Sequence, residues 1–231
     1  MTTQSRLPAH RNPLVIAIEG LCFAGKTTLA NALAVAADTI VIGEYADLAP
    51  LPPFPPRHLS DVAAALDHFL RVEHQRALAA RAAETPVVLL DRSPLTLIAH
   101  ECGMSALGLP CDPVGAAEIY SSAAETGLIL TPDAYLYLAV PDDVTAARQE
   151  LRGPVAAHLM NRQVRAEIDR ACRIWLATLP QERYLELDGT VSPPVLAAMT
   201  RRWLSDLTSG QPLPSWRAAA PEPGLSSRSR P

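Results

Sequence analysis

Lysine is almost absent from this sequence. Of 20 basic residues among 231, only Lys26 is lysine, and the rest are arginine. A coding bias toward Ala, Arg and Pro accounts for the arginines. Against that bias a lone lysine marks a place where a compact ammonium serves and a forked guanidinium does not. Aromatic residues are scarce at 5%, so a core built from the 48% apolar residues must rest mainly on Ala, Leu and Val. No pair of the four cysteines (Cys22, Cys102, Cys111, Cys172) has CxxC or zinc-finger spacing. They read as reduced thiols of a cytoplasmic protein. Long apolar runs are missing too. Leu14–Ile18 and Val87–Leu90 are only strand-length, which argues against a membrane span or a signal peptide. There is no basic excess: net charge is −4 and the isoelectric point about 5.9. A broad face for duplex nucleic acid is therefore excluded, because such a face needs clustered positive charge. The size suits one large domain.

Short apolar runs alternate with helical patterns along the chain. Leu14–Ile18, Thr39–Gly43, Val87–Leu90, Ala134–Val140 and Tyr184–Leu187 read as five strands. Between them Thr27–Ala37, Val62–Glu84, Leu95–Leu107, Pro113–Thr126, a segment opened by Asp142, and Ala157–Leu179 read as helices, with Pro194–Leu207 closing the chain. Ser60 and Asp61 are N-cap candidates for the long helix. Pro50–Pro56 is too rich in proline for helix or central strand. Strands separated by helices imply an α/β domain with a parallel sheet between two helical layers. The expected organisation is a flexible polar stretch at residues 1–13, one domain over 14–208, and a disordered Pro/Ser/Arg tail at 209–231. In such sheets ligands bind at the carboxyl ends of the strands.

The segment Gly20-Leu21-Cys22-Phe23-Ala24-Gly25-Lys26-Thr27 fits G-x-x-x-x-G-K-[ST] without a mismatch and lies between a strand and a helix. Its glycines let successive amides turn toward phosphate oxygens, and the following helix adds its positive end. Lys26 would reach the β- and γ-phosphates of ATP, Thr27 would hold Mg²⁺, and Thr28 would meet a phosphate. Asp91 closes the third strand, where an acid can orient Mg²⁺; capping the next helix is its ordinary alternative. Arg92 can grip an anion or pair with a carboxylate. Glu44, after the second strand, can take a proton from an attacking hydroxyl, with Asp47 as a weaker substitute.

Arg148 and Arg152 are four apart on one helix, so they share a face, and a closing lid could aim them at the transferring phosphoryl. Arg162 and Arg165 read rather as a solvated face. On the long helix Phe69, Glu73 and Arg76 fall together, and Phe69 with Arg71 are candidates for acceptor binding. That face is also compatible with plain amphipathic packing. His74 has no visible partner and reads as structural.

Taken together these segments resemble the P-loop nucleoside and nucleotide kinases, in particular their thymidylate kinase and deoxynucleoside kinase branch. Glu19–Ala30 looks like that branch's phosphate loop. Asp91-Arg92-Ser93 looks like a blend of the Asp-Arg-Tyr of thymidylate kinases and the Glu-Arg-Ser of deoxynucleoside kinases. Pro132–Leu138 is similar to their fourth-strand segment. The resemblance spans about Leu14 to Asp188 and implies a three-layer α/β/α P-loop fold with five parallel strands and a short arginine-bearing lid. It also implies Lys26 and Thr27 for triphosphate and Mg²⁺, Asp91 for the metal, and Arg92 for the acceptor or transferred phosphate. Glu44 matches the glutamate that activates the sugar hydroxyl, and Arg71 lies near an acceptor arginine. The Arg-Glu-Pro-Gly-Gly stretch of thymidylate kinases is missing and Tyr45 replaces the usual proline, so the acceptor stays open.

The function expected first is transfer of the γ-phosphoryl of ATP to a nucleoside or nucleoside monophosphate, by a chain that acts alone or as a homodimer, without membrane or duplex nucleic acid. A kinase of antibiotic or small-metabolite hydroxyls, of the chloramphenicol phosphotransferase kind, would use the same loop. A non-catalytic or regulatory nucleotide-binding protein is a third reading. The Asn-Lys-x-Asp guanine signature of GTP switches cannot occur, since the one lysine lies in the phosphate loop.

Overall fold

The computed structural model describes residues 13–35, 38–153 and 155–207. The stretch 209–231, and all but Pro13 of the N-terminal stretch, lie outside the described residues. Five strands, β1 (Leu14–Gly20), β2 (Thr39–Ile42), β3 (Val87–Asp91), β4 (Ala134–Ala139) and β5 (Tyr184–Asp188), form one sheet in the order β2-β3-β1-β4-β5. Every pairing is parallel. β1, β3 and β4 are buried on both faces, as their continuous apolar runs require.

Among the described residues eight α-helices accompany the sheet: α1 (Lys26–Leu33), α2 (Tyr45–Leu48), α3 (Leu59–Arg81), α4 (Pro94–Ser105), α5 (Pro113–Glu125), α6 (Asp142–Arg152), α7 (Arg162–Leu176) and α8 (Pro193–Asp206). On one face α4 lies between α5 and α7, over a core that includes Leu95, Ile98, Tyr120, Tyr135 and Trp175. Gly103 lets α4 and α7 cross closely: a Cβ there would stand 2.9 Å from Ile168. On the other face α1 and α8 cover Ile16, Ile18, Leu29, Leu136 and Leu138. The few aromatics do more than their number suggested. Trp175, Tyr120, Tyr135 and Tyr137 are among the largest fully buried side chains.

Several boundaries differ from the sequence expectation, each for a local reason. The helix expected over Ala157–Leu179 is two elements, a 3₁₀ turn at Ala157–Met160 and α7. Asn161 divides them, because its side-chain oxygen caps the amides of Gln163 and Val164. α3 starts at Leu59. Ser60 and Asp61 therefore lie inside its first turn, where the Asp61 carboxylate accepts from the Arg57 and His58 amides. Asp142 is the first residue of α6, and Pro141 stands at the cap position. The four-residue α2 carries too little periodicity to be read from sequence.

Candidate active site

The carboxyl ends of the strands gather the chemistry along one edge. Gly20 ends β1 beside Leu138 of β4. Its φ is 137°, and a Cβ would stand 2.5 Å from the Leu138 carbonyl oxygen, so only glycine fits. The loop then turns through Phe23 (φ 64°) and Gly25 (φ 104°) into α1. The Lys26 ammonium folds back across the loop and donates to the carbonyls of Gly20 (3.0 Å) and Leu21 (2.9 Å). Burial, then the nearby Arg92 guanidinium, lower its pKa to about 8, while Asp91 and Glu44 oppose the drop.

Asp91 closes β3 opposite Ile18 of β1. Its Oδ2 accepts from the Thr27 hydroxyl at 2.5 Å. Its Oδ1 is buried and has no hydrogen-bond partner among the described residues. A hydroxyl and a carboxylate in contact, with a buried oxygen to spare, are donors suited to a hard cation such as Mg²⁺.

Arg92 follows with φ 70°, a region that bulky residues avoid. Its guanidinium joins three elements. Nε donates to Glu44 Oε2 (2.7 Å), and the terminal nitrogens face the Gly20 carbonyl (3.5 Å) and Cys22 Sγ (3.7 Å). Burial disfavours the Glu44 carboxylate, but the Arg92 guanidinium outweighs it and holds the group below its ordinary value of 4.5. Glu44 is the N-cap residue of α2, which fixes its backbone at the end of β2.

Residues not assigned from sequence hold this strand end in place. Arg76 of α3 is buried and donates to the backbone carbonyls of Asp91 (3.1 Å) and Arg92 (2.8 Å) and to Glu73 Oε1 (2.5 Å). Tyr45 donates to the same Glu73 oxygen at 2.6 Å, and the Arg76 guanidinium lies 5.0 Å from the Tyr45 ring centre. Glu19, wholly buried, accepts from the amide (2.9 Å) and hydroxyl (2.5 Å) of Ser93 and from the Thr96 hydroxyl. Burial raises its pKa, against the lowering effect of those hydroxyls. The helical spacing of Phe69, Glu73 and Arg76 was the one signal of this network in the sequence. That they serve strand ends far along the chain was not readable.

The arginines separate. Arg148 donates to the carbonyls of Phe23 and Ala24 (both 3.0 Å) and Gly189 (2.7 Å). It therefore braces the phosphate loop from the side of α6, and it lines the same depression as Phe23, Ala24 and Gly25. Arg152 lies beside it, 3.2 Å from the Thr28 hydroxyl. Arg165 is buried and ties α7 to Asp142 and Thr145 of α6. Arg71 pairs with Asp67 on its own helix, has a 64% exposed side chain and does not line the larger depression. His74 Nδ1 lies 2.9 Å from the Leu128 carbonyl oxygen.

Two depressions flank the loop. One, of about 280 Å³, is lined by Phe23, Gly25, Leu29, Arg148, Val191 and Leu196 among others. The other, of about 440 Å³, begins at Gly20, Leu21 and Cys22 and extends past Glu44, Arg92 and Phe69.

Fold and site define a P-loop protein with a doubly covered parallel sheet. A family model described as an AAA domain matches residues 15–184, and the chain belongs to that family. No curated protein matches it in sequence. Among solved structures it is similar to the deoxyadenosine kinase from M. mycoides with dCMP and dCDP bound. That match has TM-score 0.64 and 16% identity, and covers 84% of this chain and 100% of the other. The same enzyme with bound dATP matches with TM-score 0.63 and 15% identity, over 83% and 100%. The thymidylate kinase from Candida albicans matches with TM-score 0.59 and 14% identity, over 84% and 92%. At such identities the likeness is one of fold, and it agrees with the three-layer P-loop architecture expected from sequence.

Proposed function

We propose that the chain is an ATP- and Mg²⁺-dependent phosphotransferase that moves the γ-phosphoryl group to a hydroxyl of a small acceptor. The observation that carries this reading is the position of the phosphate loop as a wall between two depressions. Phe23–Gly25 border one, suited to the nucleotide donor, and Gly20–Cys22 border the other, suited to the acceptor. In-line transfer needs such an arrangement, with donor and acceptor on opposite sides of the group in flight. The fold likeness to deoxyadenosine kinase and thymidylate kinase supports the same reading.

The residues divide the work as follows. The loop amides and the Lys26 ammonium hold the polyphosphate. Thr27 and Asp91 would hold Mg²⁺, which when bound offsets charge on the β- and γ-phosphates. Glu44 accepts the proton of the acceptor hydroxyl as the new O–P bond forms, and ADP leaves with the electrons of the broken bond. Arg92, tied to Glu44, faces the phosphoryl oxygens and keeps the carboxylate ionised. Little basicity is demanded of Glu44, because phosphoryl transfer passes through a loose transition state in most analyses. A hydroxyl acceptor is the reading that gives Glu44 a role; Arg92 is the one guanidinium lining the cleft among the described residues.

The test is ADP release from magnesium ATP over a panel of hydroxyl compounds. An acceptor should stimulate release in the parent chain, and Lys26→Met should lower kcat by about 100- to 1,000-fold, as loss of one preorganised charge at a transition state does. Equal turnover by Lys26→Met would overturn the reading.

A further inference from the structure

The cleft beyond Glu44 and Arg92 is mostly apolar. Its walls are carbon. Leu51 and Phe54 come from the proline-rich loop, Leu66 and Phe69 from α3, Leu97 from α4, and Leu159 from the turn before α7. Besides Glu44 and Arg92, four polar side chains border it that each make a contact within the protein. The Tyr45 hydroxyl is spent on Glu73 (2.6 Å) and the Thr96 hydroxyl on Glu19. His100 Nε2 faces His158 Nε2 at 3.4 Å, and Glu101 Oε2 accepts the Asp112 amide at 2.8 Å. Burial, with His158 and Arg92 adding to it, lowers the His100 pKa to about 3, so its ring is neutral at pH 7.

Among the described residues no Asn or Gln lines the cleft, and Arg92 is its one guanidinium. A nucleobase edge presents several donors and acceptors. Each one buried without a partner costs affinity about 10- to 100-fold. An apolar ring or branched chain loses nothing there and gains from leaving water. The volume, about 440 Å³, lies within the range of pockets that enclose small organic ligands. Phe54 completes the apolar wall, its ring centre 4.5 Å from that of His100 and 5.2 Å from that of His158. It thereby joins the proline-rich loop to α4 and to the turn before α7.

We infer that the acceptor is an alcohol with a bulky apolar body, aromatic or branched, rather than a nucleoside. Its hydroxyl lies at Glu44 and its body against Phe69, Leu97 and Phe54. This rests on the phosphotransferase reading above and names the substrate class of the same cleft.

The test compares 4-phenylbutan-1-ol and 2-naphthaleneethanol with deoxyadenosine, deoxycytidine and thymidine. Acceptor-dependent ADP release and ligand-observed saturation-transfer NMR are both recorded on the full chain. The expected result is a kcat/KM at least 10-fold higher for the aromatic alcohols. Phe54→Asn and Leu51→Asn should each lower that value several-fold, and an unchanged affinity for magnesium ATP together with an unchanged Tm shows that the fold is kept. A nucleoside preferred over both alcohols would overturn the inference and leave the kinase reading intact. Should no compound stimulate ADP release, the NMR decides. Binding of the alcohols alone, weakened by Phe54→Asn, sustains the acceptor class and counts against transfer. Binding of neither alcohol overturns the inference.

Discussion

Lys26 is buried, 5% exposed, with its ammonium on two carbonyls and under the influence of the Arg92 guanidinium. Its pKa near 8 lies below that of an ordinary lysine, and a bound polyphosphate would raise it again. Binding of magnesium ATP at pH 8 should therefore take up part of a proton. Calorimetry in two buffers of different ionisation enthalpy measures this, and Lys26→Met should abolish it. An equal enthalpy in both buffers for the parent chain would contradict the assignment. Glu44 has the opposite sign. Arg92 holds it below 4.5 despite burial, so it is ionised throughout the neutral range. On acidification kcat should hold until the pH falls below 4.5. Glu44→Gln should lower kcat by about 10²–10⁴-fold if Glu44 is the base; a loss of only a few-fold assigns it to positioning Arg92.

At the scale of elements, α3 holds the carboxyl edge of the sheet through one buried chain, Tyr45–Glu73–Arg76. Arg76 and Glu73 have no side-chain exposure. Arg76 fixes the carbonyls on either side of the Asp91–Arg92 peptide step, where Arg92 takes its positive φ. Arg76→Met would leave the Glu73 carboxylate buried with only the Tyr45 hydroxyl. The expected cost is about 3–5 kcal/mol, as for other broken buried pairs. Urea unfolding measures it, and Glu73→Met combined with Arg76→Met should recover part of the loss. The α6 arginines belong to this scale too. Arg148 connects the phosphate loop to the turn after β5 at Gly189, so it serves the shape of the loop before any ligand arrives.

For the whole molecule, the sheet order places β1 between β3 and β4. The loop after β1 therefore stands at the centre of the carboxyl edge, with one depression on each side. Ligand binding there draws on contacts from both layers and should stabilise the fold as a unit. Magnesium ATP at 100 times its Kd should add about 2.7 kcal/mol. That corresponds to a rise of roughly 5–10 °C in Tm for a chain of this size. An unchanged melting curve at millimolar magnesium ATP would deny the site. Among the described residues no helix is long and apolar enough to cross a membrane.

The sequence by itself determined the strands, the phosphate loop and the acid at the end of β3. Each is written in contiguous residues: an apolar run, a glycine spacing around the one lysine, a carboxylate after Val87–Leu90. Helix ends at Asn161 and Leu59 were less legible, because capping depends on which side chain reaches which amide. Only the tertiary structure decided the fate of side chains that meet across the sheet. It tied Arg148 to the carbonyls of the loop, left Arg71 in solvent with Asp67, and joined Glu44 to Arg92 across 48 residues. It also turned Tyr45, Glu73 and Glu19 into supports. The reason is physical: backbone hydrogen bonds and apolar periodicity are local, whereas the partner of a buried charge is whichever group the folded layers bring within about 3 Å.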